Sequence, residues 1–398
     1  MQFSNRVNAM DYSPVRKLVP YIEEAVSRGI HVHEMHIGQP NIKTPDRFMD
    51  GIQRYSDHIV RYTNSKGTSD LRKAFEEFYR NNGISLTKED LLITQGGSEA
   101  IVFAISTLCD PGDEVLVAEP FYSNYESFIR MVDAVMVPIT LKIEENYRFP
   151  PKETLEKLVT PKTRAILLSN PNNPTGAILS ESEMNDIRDL AMEHDLFIIA
   201  DEVYRNFIYD PIHYNSFLNM PGLEDRVVLV DSVSKHYSAC GARIGVIGSA
   251  NKQFISQALK LCQARLSVST IEQYATSEML NNVGEYLSGV IAAYKERRDR
   301  ICDLLEKIDG VVCVRPSGAF YVLVGLPVAD TDDFAAWMLT NFDYMGETVS
   351  FAPGSGFYCD KEKGKSKARF SFCASEPEEI ARAMKVLEMG LAAYRNIK

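Results

Sequence analysis

The chain has 398 residues, 45% of them hydrophobic and 24% charged, which is ordinary for a folded protein and too long for one simple core. A formal net charge of -11 argues against nucleic acid or an anionic membrane as the main partner, because such partners call for basic patches.

Seven scattered cysteines without a C-x-x-C pair read as reduced thiols, not as a disulfide frame or a zinc site. MQFSNRVNAM lacks an apolar signal core. No apolar run approaches the roughly 18 residues of a membrane span. A cytoplasmic location is therefore expected. Near the start, HVHEMH (31–36) brings three histidines together. Strand alternation puts His33 on one face and His36 on the other, and no second ligand cluster follows, so no metal site is expected. In the adjoining IGQP (37–40), Gly38 lets a substrate approach the backbone.

From about residue 90 to 250, apolar runs alternate with helical stretches. The predicted strands are LLITQ (91–95), EVLVAE (114–119), AVMVPI (134–139), RAILLSN (164–170), FIIADE (197–202), VVLVDS (227–232) and RIGVIGS (243–249). SEAIVFAISTLC and SEMNDIRDLAMEH read as amphipathic helices between them. Continuous apolar strands alternating with helices predict an α/β fold: a three-layer α/β/α large domain with a mainly parallel sheet. Residues 253–308 read as helical. The strand-like runs VVCVRPSGAFYVLVGL, TVSFAPGSGFY and ARFSFCAS follow, then a helix from about Glu376. These predict a smaller α+β domain. The expected division is 46–285 for the large domain, with 1–45 and 286–398 forming an N-terminal arm and the small domain.

In such sheets ligands bind beyond the carboxyl ends of the strands, where the polar clusters of this chain lie. In ITQGGSEA (93–100), Gly96 and Gly97 precede a helix start, which suits either an anion or a plain turn capped by Ser98. The Walker pattern G-x-x-x-x-G-K-[ST] fails at Cys359, upstream of Gly364-Lys365-Ser366. The dinucleotide pattern G-x-G-x-x-G also breaks at Cys359, after Gly354 and Gly356. NPNNPTG (170–176) is a rigid turn by composition, with Asn173 able to offer an amide. Asp201 of DEVY (201–204) ends an apolar run, where a carboxylate needs a cap or a cationic partner.

DSVSKHYSACGARIG (231–245) holds Ser232, Ser234, Lys235 and Arg243. Ser232-x-x-Lys235 matches the S-x-x-K of penicillin-binding enzymes, but the companion strings S-D-N and K-T-G are absent. The remaining chemical reading is a lysine bonded to a carbonyl cofactor, with Ser232, Ser234 and Arg243 on its phosphate. Arg369 of ARFSF (368–372) is either a strand arginine or a carboxylate clamp.

Together, IGQP, YTNSKG, GGSEA, NPNNPTG, DEVY, SVSK and ARFSF resemble, in order and spacing, the fold-type I pyridoxal-phosphate-dependent aminotransferases of class I and II, aspartate aminotransferase-like branch. The resemblance implies pyridoxal 5′-phosphate bonded to Lys235. It implies a phosphate cup from the backbone at Gly97, Ser98 and Glu99 with Ser232, Ser234 and Arg243, and Asp201 on the ring nitrogen. Asn173 and Tyr204 match the partners of the phenolic oxygen, and Tyr122 the residue stacked on the ring. Arg369, with Asn173 and the backbone at Gly38, matches the clamp on the substrate α-carboxylate. Tyr62 matches a tyrosine that reaches the neighbouring subunit's phosphate, which implies a homodimer.

The implied reaction moves an amino group between an L-amino acid and a 2-oxo acid, with ping-pong kinetics. A β- or γ-eliminating lyase on the same scaffold needs the same residues. A non-catalytic effector-binding domain of a regulator carries an N-terminal DNA-binding module; here the family-like region begins within the first few dozen residues and the net charge is acidic, so this alternative is not expected. Two departures bear on substrate. Ser98 stands where aspartate-preferring members often carry a basic residue for the distal carboxylate, and Ala242 replaces a common tryptophan. Alanine, methionine, aromatic and other neutral amino acids stay open beside aspartate.

Overall fold

The computed structural model describes residues 2–281 and 285–396. In chain order, β1 (His31–Glu34) is followed by β2 (Leu91–Gln95), β3 (Glu114–Glu119), β4 (Val135–Thr140), β5 (Thr163–Ser169), β6 (Phe197–Asp201), β7 (Val227–Ser232) and β8 (Ile244–Gly248). Next come β9 (Val312–Cys313), β10 (Tyr321–Gly325), β11 (Glu347–Ser350), β12 (Ala352–Pro353) and β13 (Lys367–Ser371). Strands β2–β8 form a seven-stranded sheet in the order β2-β8-β7-β6-β5-β3-β4. Only β8 runs against its neighbours.

The strand sequences explain why both faces are covered. Alternate residues of one strand enter opposite cores. Val115, Val117, Ala165, Leu167, Ile199, Val228 and Val230 pack against helices Gly96–Leu108, Asn124–Met131 and Lys252–Arg265. Leu116, Ala118, Ile166, Leu168, Ile198 and Ala200 pack beneath helix Glu181–Glu193. Each fully buried Val, Leu or Ile side chain contributes about 1.5–3 kcal/mol, so runs apolar on every residue are stable only between two layers. Helix Glu181–Glu193 starts at a capping box in which Ser180 and Glu183 exchange hydrogen bonds.

The remaining strands form a four-stranded antiparallel sheet, β12-β13-β10-β9, and a parallel pair, β1-β11. A separate core joins Leu18, Ile22 and Val32 to Val324, Phe334, Phe370, Met384 and Leu387. The N-terminal segment therefore packs with the last part of the chain. Helix Tyr286–Leu305 and the final helix Pro377–Arg395 flank these sheets. All seven cysteines are free thiols. No helix among the described residues is long and apolar enough to cross a membrane.

Two boundaries differ from the sequence reading. Helix Gly96–Leu108 begins at Gly96, so Ser98 lies inside its first turn and caps nothing. The last strand of the large sheet begins at Ile244, because Arg243 takes a left-handed conformation with φ 52°.

Candidate active site

Five strands of the large sheet end at one cavity of about 550 Å³. β2 leads to Gly97 and Ser98, β3 to Tyr122, β5 to Asn173, β6 to Asp201 and Tyr204, and β7 to Ser232, Ser234 and Lys235. Because β8 is reversed, Arg243 reaches the same end from that strand's start. Gly38, Tyr321 and Arg369 close the opposite side. Of the residues expected from sequence, only Glu99 and Tyr62 do not line it. The Glu99 carboxylate turns back to accept the Gln95 N–H at 2.9 Å, leaving only its backbone near the helix start. Tyr62 is 81% exposed.

Lys235 lies within the short helical turn Val233–His236, at whose start the Ser232 hydroxyl accepts the Ser234 N–H at 3.3 Å. Its Nζ donates to the Gly38 carbonyl at 2.8 Å and lies 5.9 Å from the Phe320 ring centroid. Burial works against the ammonium charge, but Tyr321, Cys240, Cys373 and Tyr122 outweigh it and raise the pKa. Asp201 is buried and accepts from the Tyr125 hydroxyl at 2.6 Å and the Val203 N–H at 3.3 Å. Burial raises its carboxyl to about 6, against those two bonds. Tyr204 and Tyr321 share a hydroxyl–hydroxyl bond of 3.1 Å. Burial keeps these two phenols and that of Tyr122 protonated.

Arg369 is only 4% exposed. It donates to the Asn173 side-chain oxygen at 3.2 Å and the His36 carbonyl at 2.7 Å. Tyr321 and Phe357 lie against its guanidinium, 4.5 and 5.1 Å away. Its Nε has no partner, and no carboxylate pairs with it among the described residues. Burial, then the Arg369 charge, lower His36 to about 4, so that ring is neutral.

Sequence reading missed Tyr125, Tyr321 and the His36 carbonyl. Tyr125 had a local signal, one turn after Tyr122. Tyr321 had none: its place is revealed by Gly38, where an added Cβ would sit 1.8 Å from the Tyr321 hydroxyl oxygen.

The donor set suits a phosphorylated, cationic, carbonyl-bearing ring. No side chain caps the helix at Gly96, so its first N–H groups are free for a phosphate. Among the described residues no cation pairs with the buried Asp201, and a protonated ring nitrogen would supply one. Once deprotonated, the Lys235 Nζ can condense with an aldehyde.

The sequence signature described as aminotransferase class I and II matches residues 32–387. The chain belongs to this family, whose members are pyridoxal-phosphate-dependent transaminases. Among curated relatives, it is 30% identical to the aspartate/prephenate aminotransferase of Thermus thermophilus, over 96% of each chain. It is 32% identical to a bifunctional aspartate aminotransferase and glutamate/aspartate-prephenate aminotransferase of Petunia hybrida, over 82% of this chain and 69% of that one. Two solved structures superpose with TM-scores of 0.89 at 29% identity, each covering 98% of this chain and all of its own. One is a single mutant of the Thermus thermophilus aspartate aminotransferase, the other an alanine aminotransferase from Pyrococcus furiosus.

Proposed function

We propose that this cavity exchanges an amino group between an acidic L-amino acid and a 2-oxo acid. One observation carries the reading: Arg369, buried and without an acidic partner, faces the same cavity as Lys235 and Asp201. A buried cation left without an anion is costly, and a substrate α-carboxylate supplies the anion in bidentate geometry.

Pyridoxal phosphate, when bound, supplies an aldehyde that takes up amines and a ring that withdraws electrons from Cα. The helix start at Gly97 and Ser98, with Ser232, Ser234 and Arg243, would hold its phosphate. Asp201, fixed by Tyr125, would keep the ring nitrogen protonated. Asn173 and Tyr204 would hold the phenolic oxygen, and Tyr122 would line the ring's place. Arg369 and Asn173 hold the α-carboxylate so that Cα stands near Lys235. The Lys235 Nζ, once neutral, takes the proton from Cα as general base and returns it as general acid. Phe320 and Tyr321 shield that exchange from water. Two such half-reactions give ping-pong kinetics.

The family fold does not choose the donor, since structural neighbours of equal likeness are named for aspartate and for alanine. Ser98 carries no charge for a distal carboxylate. Arg16 lines the cavity mouth instead, exposed and with a guanidinium that makes no ion pair among the described residues. We assign the distal carboxylate of an aspartate-like donor to it. The reading extends to a cytoplasmic homodimer in which the exposed Tyr62 completes the neighbour's phosphate site, and to a small domain of residues 1–45 and 286–398 that closes over the large one.

A half-reaction screen tests the substrate assignment. Aspartate is expected to convert the cofactor to its amine form faster than alanine, methionine or phenylalanine. Arg16→Ala is expected to lower kcat/KM for aspartate about tenfold or more, the scale of one charge-assisted contact, and to leave alanine unchanged. An equal loss for both amino acids refutes the role of Arg16. Ammonia and pyruvate released from cysteine without any oxo acid would refute transamination as the main activity.

A further inference from the structure

We propose that His31, His33 and Glu379 form a binding site for a divalent transition cation of the zinc type, separate from the catalytic cavity. The three ligand atoms, two imidazole nitrogens and a carboxylate oxygen, lie within 4.8 Å of one another. None of the three residues lines the catalytic cavity. The sequence reading set a metal aside by weighing His33 against His36. The pair that shares a strand face is His31 and His33, two residues apart in β1. Their rings meet edge to face at 4.6 Å. The third ligand comes from the first turn of the final helix, far away in sequence.

The state of His33 is what points to an ion. Its ring is fully buried. Nε2 is held by the Glu347 carboxylate at 3.0 Å, which places the proton on that nitrogen and leaves the Nδ1 lone pair facing the site. Nδ1 has no hydrogen-bond partner. It stands 3.7 Å from the Glu379 carboxylate, too far for a hydrogen bond. Two ligands each about 2 Å from a tetrahedral ion stand roughly 3.3 Å apart, so an ion fits there with a small adjustment of Glu379. A carboxylate behind a ligating histidine is the usual outer support of a metal site, and Glu347 already occupies that position. Arg382 approaches only the far oxygen of Glu347, at 3.9 Å. Two imidazoles and one carboxylate with an exposed fourth side suit zinc.

A second group, Glu156, Glu193 and His194, makes a contrast. There Lys152 bridges both carboxylates, at 3.0 and 2.6 Å, so a cation already fills the place. At His33 no lysine among the described residues does so. The ion would tie β1 to the final helix. β1 continues into the Ile37–Gln39 segment, whose Gly38 carbonyl accepts from Lys235. The site is therefore a brace for one wall of the cavity, not part of its chemistry.

The test is calorimetric titration of the holoenzyme with Zn²⁺, and with Co²⁺ followed by visible spectroscopy. Wild type is expected to take up an ion saturably, to show tetrahedral Co²⁺ bands and to gain a few degrees in Tm. His31→Ala and Glu379→Gln, both at solvent-reachable positions, are expected to abolish this uptake while leaving transamination without added metal unchanged. Glu347→Gln is expected to weaken it about 10- to 100-fold. Absence of saturable uptake by wild type, or uptake equal in wild type and both ligand variants, would overturn the proposal.

Discussion

The wall of the cavity that carries Ser98, Asp201, Ser232, Ser234 and Lys235 is made from turns within a few residues of strand ends. The wall that carries Arg369 is made differently. Its hydrogen bond to the His36 carbonyl joins residues 333 positions apart, and its bond to Asn173 joins residues 196 apart. The first wall is fixed by local backbone geometry on a rigid sheet. The second exists only after β1, β10 and β13 have packed. The groups proposed to hold the cofactor thus sit at strand ends of one sheet, and those proposed to hold the substrate where segments distant in sequence meet.

Lys235→Ala should separate the walls most sharply. It removes the only lysine lining the cavity among the described residues, the one proposed both to bond the cofactor and to move the Cα proton. Turnover should fall by at least about 10⁴-fold, the upper range for loss of a general acid–base group. Cofactor binding should survive in part through the phosphate cup. Borohydride reduction of wild type should fix the cofactor on Lys235, located by peptide mass mapping; an adduct on another lysine would refute the assignment.

Arg369→Lys should strike the second wall alone. Lysine keeps the charge but loses the fork that grips a carboxylate through two parallel bonds. About 10²-fold should be lost from kcat/KM, mainly as a higher KM for amino and oxo acids, with the cofactor's absorbance unchanged. A fall in kcat with unaltered KM would show that Arg369 does not hold the substrate.

Gly38→Ala tests whether the two walls are coupled. A Cβ there would overlap the Tyr321 hydroxyl, so Tyr321 or the Ile37–Gln39 segment must shift. The acceptor of Lys235 lies on that segment, and the His36 carbonyl that supports Arg369 immediately precedes it. A displacement near 1 Å can cost up to about 10²-fold. The expectation is a 10- to 100-fold drop in kcat/KM with the cofactor still bonded to Lys235. Unchanged kinetics would mean that this wall tolerates movement and that the coupling is weak.

The same contrast explains what was legible in the sequence. NPNNPTG, DEVY and SVSK are each a strand end followed by a turn, so their polar residues announce themselves locally. The seven strands of the large sheet were readable because burial on both faces forces near-continuous apolar runs. Tyr321 lay hidden in GAFYV, where it resembles any buried strand aromatic. Its closeness to Gly38 is a long-range packing fact. His36 acts through its backbone carbonyl, which no side-chain identity reveals. The start of helix Gly96–Leu108 was misjudged because a glycine pair usually marks a turn. Here Gly96, at φ 75°, turns the chain while Arg243 fills the space a side chain would need.

The smallest expected effect concerns stability and bears on the first wall without its cofactor. Burial raises the Asp201 carboxyl to about 6, well above its ordinary value of 3.8. The unfolded chain therefore ionises this group first. Its contribution to stability is fully present below about pH 3.8 and is lost as pH rises through about 6, when the folded protein must hold a charge with no cation beside it. The loss is on the order of 3 kcal/mol once both states are ionised. Asp201→Asn keeps the shape and removes the charge. In the cofactor-free protein the variant should unfold a few degrees above wild type at pH 8, and the gap should close toward pH 4. Adding pyridoxal phosphate should reverse the order at pH 8, because a protonated ring nitrogen rewards the ionised carboxylate and not the amide. Calorimetric scans of both proteins, with and without cofactor from pH 4 to 8, read the effect directly. Parallel pH profiles for the two cofactor-free proteins would mean that Asp201 is already neutralised by its surroundings, and the case for a cationic ring opposite it would fall.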